Sequence, residues 1–442
     1  GIASPAAAAN AKAAGAVGQL HVSPHEHLHE MCISPVWGSP SAEMLPEMPA
    51  TVACTISDAD GAALRAKLKS TGRLAVTLHA EVDTGWRKTP ILVAHLDAPG
   101  AKDGPFTLLS GHHDTWYYGV MDNGSANATM LEAARLLAQH HKEWRRGLRV
   151  CFWSGHSHGR YSGSTWYVDN HFEDIDARCV AHVNVDSTGG IGATVLTDNG
   201  VTTPLVALAK DATKAEAQQD HAGKRASRSS DQSFWGVGIP SMYGSISHQP
   251  PGPVKMRNAL GWWWHTPHDL LDKIDEKFLE RDTRVVVHTL WRLQTDPVLP
   301  LDCAAHAGDL LAELRKLAEK LGDAVAIGGL VKAAEALEAE AKSVAARSGV
   351  NDQAKLDAIN AALMRASRAL VPLDYTDGDR FSHDPALPQS AWPALDPLRA
   401  LSRAKPGSDQ ARFVAVGARR AANRVLHALK DAQAALGAAL AS

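Results

Sequence analysis

The sequence lacks the long apolar segments that a membrane protein needs. It contains no run of about 18 apolar residues, so we expect no transmembrane span. Blocks of like charge are also missing, and the formal net charge at pH 7 is only −3. This balance gives no reason to expect nucleic acid or an anionic membrane as a partner.

Cysteine is scarce as well. The 5 cysteines are scattered along the chain and fit neither a disulfide framework nor a C-x-x-C metal site. We interpret them as buried thiols. No secretory signal peptide is visible, so a cytoplasmic location is favoured. Histidine, in contrast, is plentiful, with 22 residues, and several of these follow predicted strands, which is a first indication of metal binding.

The 442 residues predict three parts, which we place at residues 1–95, 96–300 and 301–442. The first part begins with a helix whose N-cap is Ser4, and short apolar runs follow, which indicates a small β-rich domain. In the second part, predicted strands and helices alternate, which is typical of an α/β domain with a mostly parallel sheet. The third part is rich in Ala and Leu with helical periodicity, and we expect a helical domain that forms a homodimer.

Five clusters of histidine and aspartate stand at predicted strand ends or helix starts. Their chemically interesting members are His112 with Asp114, Asp122, His156 with His158, Asp186, and His265. Any one cluster could be an ordinary polar loop, but five together predict convergence on one pocket. Imidazole and carboxylate ligands suit zinc and neighbouring transition metals. Asp122 also precedes Asn-Gly at a helix start, where a carboxylate is held rigidly enough to bridge two cations.

The order of these motifs resembles the co-catalytic zinc aminopeptidase family, which includes glutamate carboxypeptidase and the transferrin receptor. The resemblance spans almost the whole chain and rests on the stretches "GHHDTW", "MDNGSANA", "CFWSGHSHGRYSGSTWYV", "VNVD", "SDQSFWGVGIP" and "HTPHDLLDKID". It implies a zinc-aminopeptidase-like α/β fold, preceded by a truncated protease-associated domain and followed by a helical dimerisation domain.

The same resemblance implies a site with two metal ions. His112 and Asp186 would bind one ion, His265 would bind the other, and Asp122 would bridge both. Asp114 would not bind the metal but would orient the imidazole ring of His112. Two cations in such a site polarise a carbonyl group and activate water.

The loop after Phe152 and Trp153 departs from the family pattern. The family has two adjacent glutamates here, the first a general base and the second a metal ligand, and this chain has His156 and Ser157. The loop is also one residue longer before "GST", so His158 could be the ligand that Ser157 cannot be. We therefore predict His156 as the general base and His158 as a metal ligand, with the roles exchanged if the register slips by one residue.

Three functions remain open at this point. The first is a metal-dependent hydrolase of an amide or peptide-like bond, with His156 as its base. The second is a mononuclear metalloenzyme with chemistry other than peptide hydrolysis, holding iron, copper, nickel or manganese instead of zinc. The third is an inactive binding homologue, which is harder to reconcile with the four family ligands that are kept: His112, Asp122, Asp186 and His265.

Large aromatic residues in the motifs predict the substrate pocket. We expect Trp116, Tyr117, Trp235 and Trp264 to line it, which would suit a small aromatic or cationic molecule or a short peptide. Apart from Arg160, the motifs contain no cluster of basic residues, so an acidic peptide is not favoured.

Overall fold

The computed structural model describes residues 3–49, 51–252, 259–322, 325–347, 349 and 351–441. The first part of the chain contains helix α1 (Pro5–Ala13), strands β1 (Gly18–Val22) and β2 (Val52–Ile56), and helix α2 (Asp58–Thr71). Ser4 caps α1 as predicted, because its Oγ accepts a hydrogen bond from the amide of Ala7 at 3.2 Å.

This first part contains fewer strands than the sequence predicts. β1 and β2 form a two-stranded parallel pair. The run 74–82, which has the alternation of a strand, forms no regular element and is largely exposed. A strand gains stability when its apolar side chains pack against a buried surface. This run has no such surface beside it, so its alternating pattern does not lead to a strand.

A five-stranded sheet forms the centre of the second part, and its spatial order is β3-β5-β4-β6-β7. Only the edge strand β3 runs antiparallel to its neighbour, so the sheet is mostly parallel, as predicted. The predicted domain boundary at 95/96 falls inside β3. The strands are β3 (Leu92–Leu96), β4 (Phe106–His112), β5 (Gly147–Trp153), β6 (Cys179–Asp186) and β7 (Ser241–Ser245).

Helices cover both faces of this sheet. Alternate residues of β4 point to opposite sides, so Leu109 joins the core beneath one group of helices and Leu108 joins the core beneath the other. The helices are α3 (Ala126–Gln139), α4 (Ser162–Asn170), α5 (Phe172–Arg178), α6 (Val206–Ala217) and α7 (Glu276–Thr295).

The third part is helical, as the sequence predicts. Its apolar residues continue the core that lies on one face of the sheet, so the helical part packs directly on the α/β part. The helices are α8 (Cys303–Leu321), α9 (Ile327–Ala345), α10 (Gln353–Tyr375), α11 (Asp396–Arg403) and α12 (Asp409–Ala441).

The structure bears on the cysteines and on the possibility of a membrane span. All 5 cysteines are free thiols; three are buried, whereas Cys32 and Cys54 are only half-buried. Within the described ranges, no helix combines the length and apolar character that crossing a membrane requires.

Candidate metal centre

The carboxyl ends of the parallel strands position the candidate site. His112 is the last residue of β4, and Asp186 is the last residue of β6. Asp122 lies in the turn that leads into α3, and His156 lies in the loop after β5. His265 comes from the loop before α7. These side chains converge because the ends of neighbouring parallel strands meet at one edge of the sheet.

Asp122 lies between two imidazole rings. Its Oδ1 is 3.1 Å from Nε2 of His112, and its Oδ2 is 2.9 Å from Nε2 of His265. Burial alone would raise the pKa of Asp122, but the two histidines outweigh burial and hold that pKa well below its usual range. A carboxylate that presents one oxygen to each imidazole has the form of a bridging ligand.

The buried atoms of this site fit a metal ion. His112 Nε2 and Asp122 Oδ1 face each other at 3.1 Å, yet neither atom makes a hydrogen bond to another described residue. Buried polar atoms are rarely left without a partner. Asp186 Oδ1 lies 3.7 Å from the same His112 nitrogen. Asp186 Oδ1 also accepts a hydrogen bond from Ser187 at 2.9 Å, which leaves it a further lone pair. One imidazole nitrogen and two carboxylate oxygens that converge in this way are a suitable donor set for a divalent cation.

Asp114 contributes through its backbone and its side chain in different ways. Its carbonyl oxygen accepts a hydrogen bond from Nδ1 of His112 at 2.7 Å, which fixes the tautomer of that ring with Nε2 facing the site. Its carboxylate is 3.9 Å from the same Nδ1 and instead accepts bonds from the amides of His156 and Ser157, at 3.2 and 3.1 Å. Asp114 therefore supports both His112 and the altered loop.

His265 is held by a segment near the start of the chain. Its Nδ1 donates to the carbonyl oxygen of Glu30 at 2.6 Å, and the amide of Glu30 donates to the carbonyl of His265 at 3.1 Å. His265 has a φ of +59°, in the left-handed region that non-glycine residues rarely adopt. The reciprocal contact with Glu30 supports this strained backbone and aims Nε2 at Asp122.

His156 lies beside His112 and is fixed by a buried carboxylate. The two rings stack with centroids 3.7 Å apart and an angle of 12° between their planes. Nδ1 of His156 donates to Oδ2 of Asp231 at 2.6 Å. One donor atom each from His112, His156 and Asp186 lies within 4.8 Å of the others, so these three could hold an ion. An imidazole nitrogen binds an ion that lies in the plane of its ring. Because the rings of His112 and His156 are nearly parallel, both could bind the same ion only if one ring turned.

The other two residues of the altered loop differ in their surroundings. Ser157 is buried, and its Oγ has no hydrogen-bond partner among the described residues. His158 is exposed and packs its ring against Trp116, with centroids 4.2 Å apart. The donor set within 4.8 Å contains His156 and does not contain His158.

Two functional carboxylates were not singled out from the sequence. Asp231 orients His156, and its buried Oδ1 also accepts a hydrogen bond from Ser164 at 2.8 Å. Asp269 accepts hydrogen bonds from the amides of Met121 and Asp122, at 2.9 and 3.0 Å, so it fixes the backbone of Asp122. Burial raises the pKa of Asp269 to about 6. Both residues stand inside quoted motifs, "SDQSF" and "HTPHD", which was the available signal.

A cavity of about 670 Å³ opens at this site. Of the predicted substrate residues, Trp116 and Trp264 line it. Trp235 is instead buried in the core, where its ring packs on Tyr375 with centroids 4.2 Å apart. Tyr117 is half-exposed and donates to the Glu30 carboxylate at 2.9 Å.

The cavity wall also contains three arginines that are far apart in the sequence: Arg160, Arg225 and Arg228. Arg225 forms an ion pair with Asp374 at 2.9 Å. In the described part of the chain, Arg160 and Arg228 have no such carboxylate partner, and the buried Nε of Arg160 makes no hydrogen bond. Arg228 donates to the carbonyl oxygens of Asp384 and Pro385. Of these three arginines only Arg160 stands in the motifs quoted from the sequence, so the sequence did not predict a group of basic residues here.

The mostly parallel sheet, with His112 and Asp186 at strand ends and Asp122 between His112 and His265, agrees with a co-catalytic zinc aminopeptidase-like family. Residues 78–290 match the model of peptidase family M28, and the matched range includes all five strands of the central sheet.

Individual relatives are distant and longer. The probable glutamate carboxypeptidase LAMP1 of Arabidopsis thaliana is 27% identical, over 63% of this chain and 43% of its own length. Aminopeptidase NAALADL1 of Rattus norvegicus is 26% identical, over 68% of this chain and 46% of its own length. The match therefore spans less than half of these relatives. A zinc aminopeptidase structure from Bacillus subtilis has a TM-score of 0.45 at 20% identity, covering 65% of this chain and 66% of that one.

Proposed function

We propose that the protein is a metal-dependent hydrolase of peptide or related amide bonds, with His156 as its general base. The observation that carries this proposal is the pair Asp231–His156 beside the ligand His112. A buried carboxylate 2.6 Å from Nδ1 keeps the hydrogen on that nitrogen, because a carboxylate oxygen only accepts. Nε2 is then the nitrogen that takes a proton.

His112, Asp122 and Asp186 would hold one divalent ion, and Asp122 with His265 would hold a second. Zinc is the ion that we propose, because imidazole and carboxylate oxygen are its usual ligands. Ions held there would polarise a substrate carbonyl and lower the pKa of a water molecule. Asp114, Glu30 and Asp269 keep the ligands in place through hydrogen bonds to His112, His265 and the backbone of Asp122.

The stacking of His156 on His112 supports the base role over the ligand role. Because the rings are stacked with planes only 12° apart, His112 and His156 do not converge in one plane, so His156 would stand beside the residue that holds the ion. His158 stays a predicted ligand for the second ion, which it could reach only by leaving Trp116.

A second candidate function is a mononuclear metalloenzyme with other chemistry. The observation in its favour is Ser157, a neutral hydroxyl at the position where the family has its second glutamate. A second ion would then have only Asp122 and His265 as ligands. One metal ion per chain, together with no cleavage of any peptide, would favour this function.

We propose a substrate with a carboxylate near the scissile bond. Arg160 and Arg228 line the cavity without carboxylate partners, and an arginine fork matches a carboxylate in geometry and charge. Three of the similar proteins are named as probable glutamate carboxypeptidases, which agrees with an acidic substrate.

The test uses protein purified without chelator or affinity-tag metal. Elemental analysis should find one or two divalent ions per chain, and dipeptides should be hydrolysed only by the metal-loaded protein. His156→Ala should keep its metal and lose rate by about two to four orders of magnitude. Loss of metal instead would make His156 a ligand, and full activity would remove it from the mechanism.

Substrate class is tested separately by a pair of peptides, one with a C-terminal glutamate and one with the corresponding diamide. Arg160→Gln should lower kcat/KM about 10- to 100-fold for the acidic peptide and leave the diamide unaffected. Equal losses for both peptides would contradict carboxylate recognition. If the unsubstituted protein cleaves neither peptide, the hydrolase proposal itself fails.

A further inference from the structure

A second group of imidazoles lies close to the site but outside it. The stretch "HEHLHE" places His25, His27 and His29 at alternate positions of an irregular segment, just before Glu30. The ring of His25 is 4.9 Å from that of His29 and 5.4 Å from that of His27, measured between centroids. None of these residues belongs to the motifs of the α/β domain.

His25 and His29 bring two nitrogen atoms together. The Nε2 atoms of the two rings are 3.1 Å apart. His29 is buried, and its Nδ1 donates to the carbonyl oxygen of Trp264 at 2.5 Å. This bond makes Nε2 the acceptor nitrogen of a neutral His29. A ring nitrogen that donates to a backbone carbonyl while the other nitrogen faces a partner is the usual state of a metal-bound histidine.

Further donors surround the pair. The ring of His27 stacks on Trp262 with centroids 4.3 Å apart, and it lies 5.4 Å from the ring of His268. The Glu26 carboxylate is 3.4 Å from Nε2 of His27. The His27 side chain is partly exposed and its ring lies 5.4 Å from that of His25, so we expect a turn of this side chain to supply a third nitrogen.

We propose that His25 and His29, with His27 as third ligand, bind a divalent transition-metal ion at a site distinct from that of His112. Two nitrogens bound to one zinc at about 2.0–2.1 Å in a tetrahedron are about 3.3 Å apart, close to the 3.1 Å between these atoms. Nickel and copper suit the same imidazole set. The proposal does not depend on the hydrolase activity.

Binding requires one proton to move within His25. Without an ion, Nδ1 of His25 accepts a hydrogen bond from the amide of His27 at 3.2 Å, so its hydrogen is on Nε2 and points to His29. With an ion on Nε2, the hydrogen moves to Nδ1 and the bond from the His27 amide is lost. This loss releases the backbone of His27, which allows its ring to turn towards the ion.

The site would also secure the catalytic ligand loop. His29 holds the carbonyl of Trp264, and the next residue, Glu30, holds the ring of His265. An ion that clamps His25 to His29 would therefore stiffen the segment that orients His265.

The test is a titration of the full chain with Ni²⁺ or Cu²⁺ in an Asp122→Asn background, which disables the first site. Tryptophan emission should be quenched with a stoichiometry of one ion per chain, because His27 stacks on Trp262. His25→Ala with His29→Ala should weaken this binding at least 10-fold. The matched control is His79→Ala with His140→Ala, which removes two exposed imidazoles. Trp262→Phe should lower the amplitude of quenching without changing the stoichiometry.

An identical titration of the double variant and its control would overturn the proposal and leave His25 and His29 as a hydrogen-bonded pair only. If the double variant does not fold, His25→Asn provides the test, because asparagine keeps a hydrogen-bond donor but no imidazole. It should also weaken binding at least 10-fold, and unchanged binding would again contradict the metal site.

Discussion

Asp231 Oδ2 lies 2.6 Å from His156 Nδ1, across 75 positions of sequence, and Asp231 has no exposed surface. Burial alone would raise the pKa of Asp231, but His156 outweighs burial and lowers it. The carboxylate is therefore ionised and fixes the tautomer of His156.

We expect Asp231→Asn to lower kcat by about two to four orders of magnitude while the metal is kept, because an amide can donate to Nδ1 and reverse the tautomer. Steady-state kinetics and elemental analysis of the same sample check this. Ser164→Ala, which removes only the hydroxyl that donates to Asp231 at 2.8 Å, should cost far less. Equal effects of the two variants would contradict tautomer control.

We expect Asp122→Ala to lose both ions, because its two oxygens face both His112 and His265. Elemental analysis after gel filtration measures this loss. Asp169→Ala removes a half-exposed aspartate outside the site and should keep the full metal content. A variant of Asp122 that retains all of its metal would exclude a bridging role.

Acid should destabilise the protein through His182, which is fully buried in β6. Burial lowers its pKa to about 4, whereas an unfolded histidine has a pKa of about 6.5. The unfolded state therefore binds the proton first, so stability falls as pH decreases from about 6.5 to about 4. The full loss is about 3 kcal/mol. Urea unfolding at several pH values should show a flatter dependence for His182→Gln than for the exposed control His140→Gln.

Arg368 joins the helical part to the α/β part. Its buried guanidinium donates to the carbonyl oxygens of Ile175, Asp176 and Cys179, at 3.2, 3.0 and 2.5 Å. Arg368→Leu would leave these acceptors without a partner, and we expect a loss of about 2–4 kcal/mol in the free energy of unfolding. Arg365→Leu, on an exposed face of the same helix, should change it by less than about 0.5 kcal/mol.

The homodimer expected from the helical segment remains a prediction. Light scattering at micromolar concentration should give about twice the 47.1 kDa of one chain. A mass of one chain under these conditions would remove the dimer.

Candidate site residues could be predicted from the sequence where they stand at the ends of predicted strands. His112, Asp122 and Asp186 were identifiable because each one follows or precedes a strongly patterned element. His156 was identifiable as a departure from a family pattern. Its partner Asp231 stands in a quoted motif, but a contact across 75 positions leaves no local sign that the two residues pair. Arg160 and Arg228 likewise reach one cavity from separate loops, so the basic cavity wall could not be predicted from local sequence. The run 74–82 alternates apolar and polar residues like a strand and yet forms none, because alternation alone does not supply a buried face.

Glu30 holds the ring of His265 with a backbone oxygen, which every amino acid possesses. Replacing the Glu30 side chain by alanine would remove its contact with Tyr117 but leave that backbone acceptor in place, so a scan of single substitutions would miss the support that position 30 gives to His265. Removing residues 1–38, in contrast, would remove the Glu30 carbonyl and the contact of His29 with Trp264. The left-handed backbone of His265 would then lose its support. An expression fragment trimmed to the family match at 78–290 would accordingly keep every motif and lack the part that aims one of its ligands.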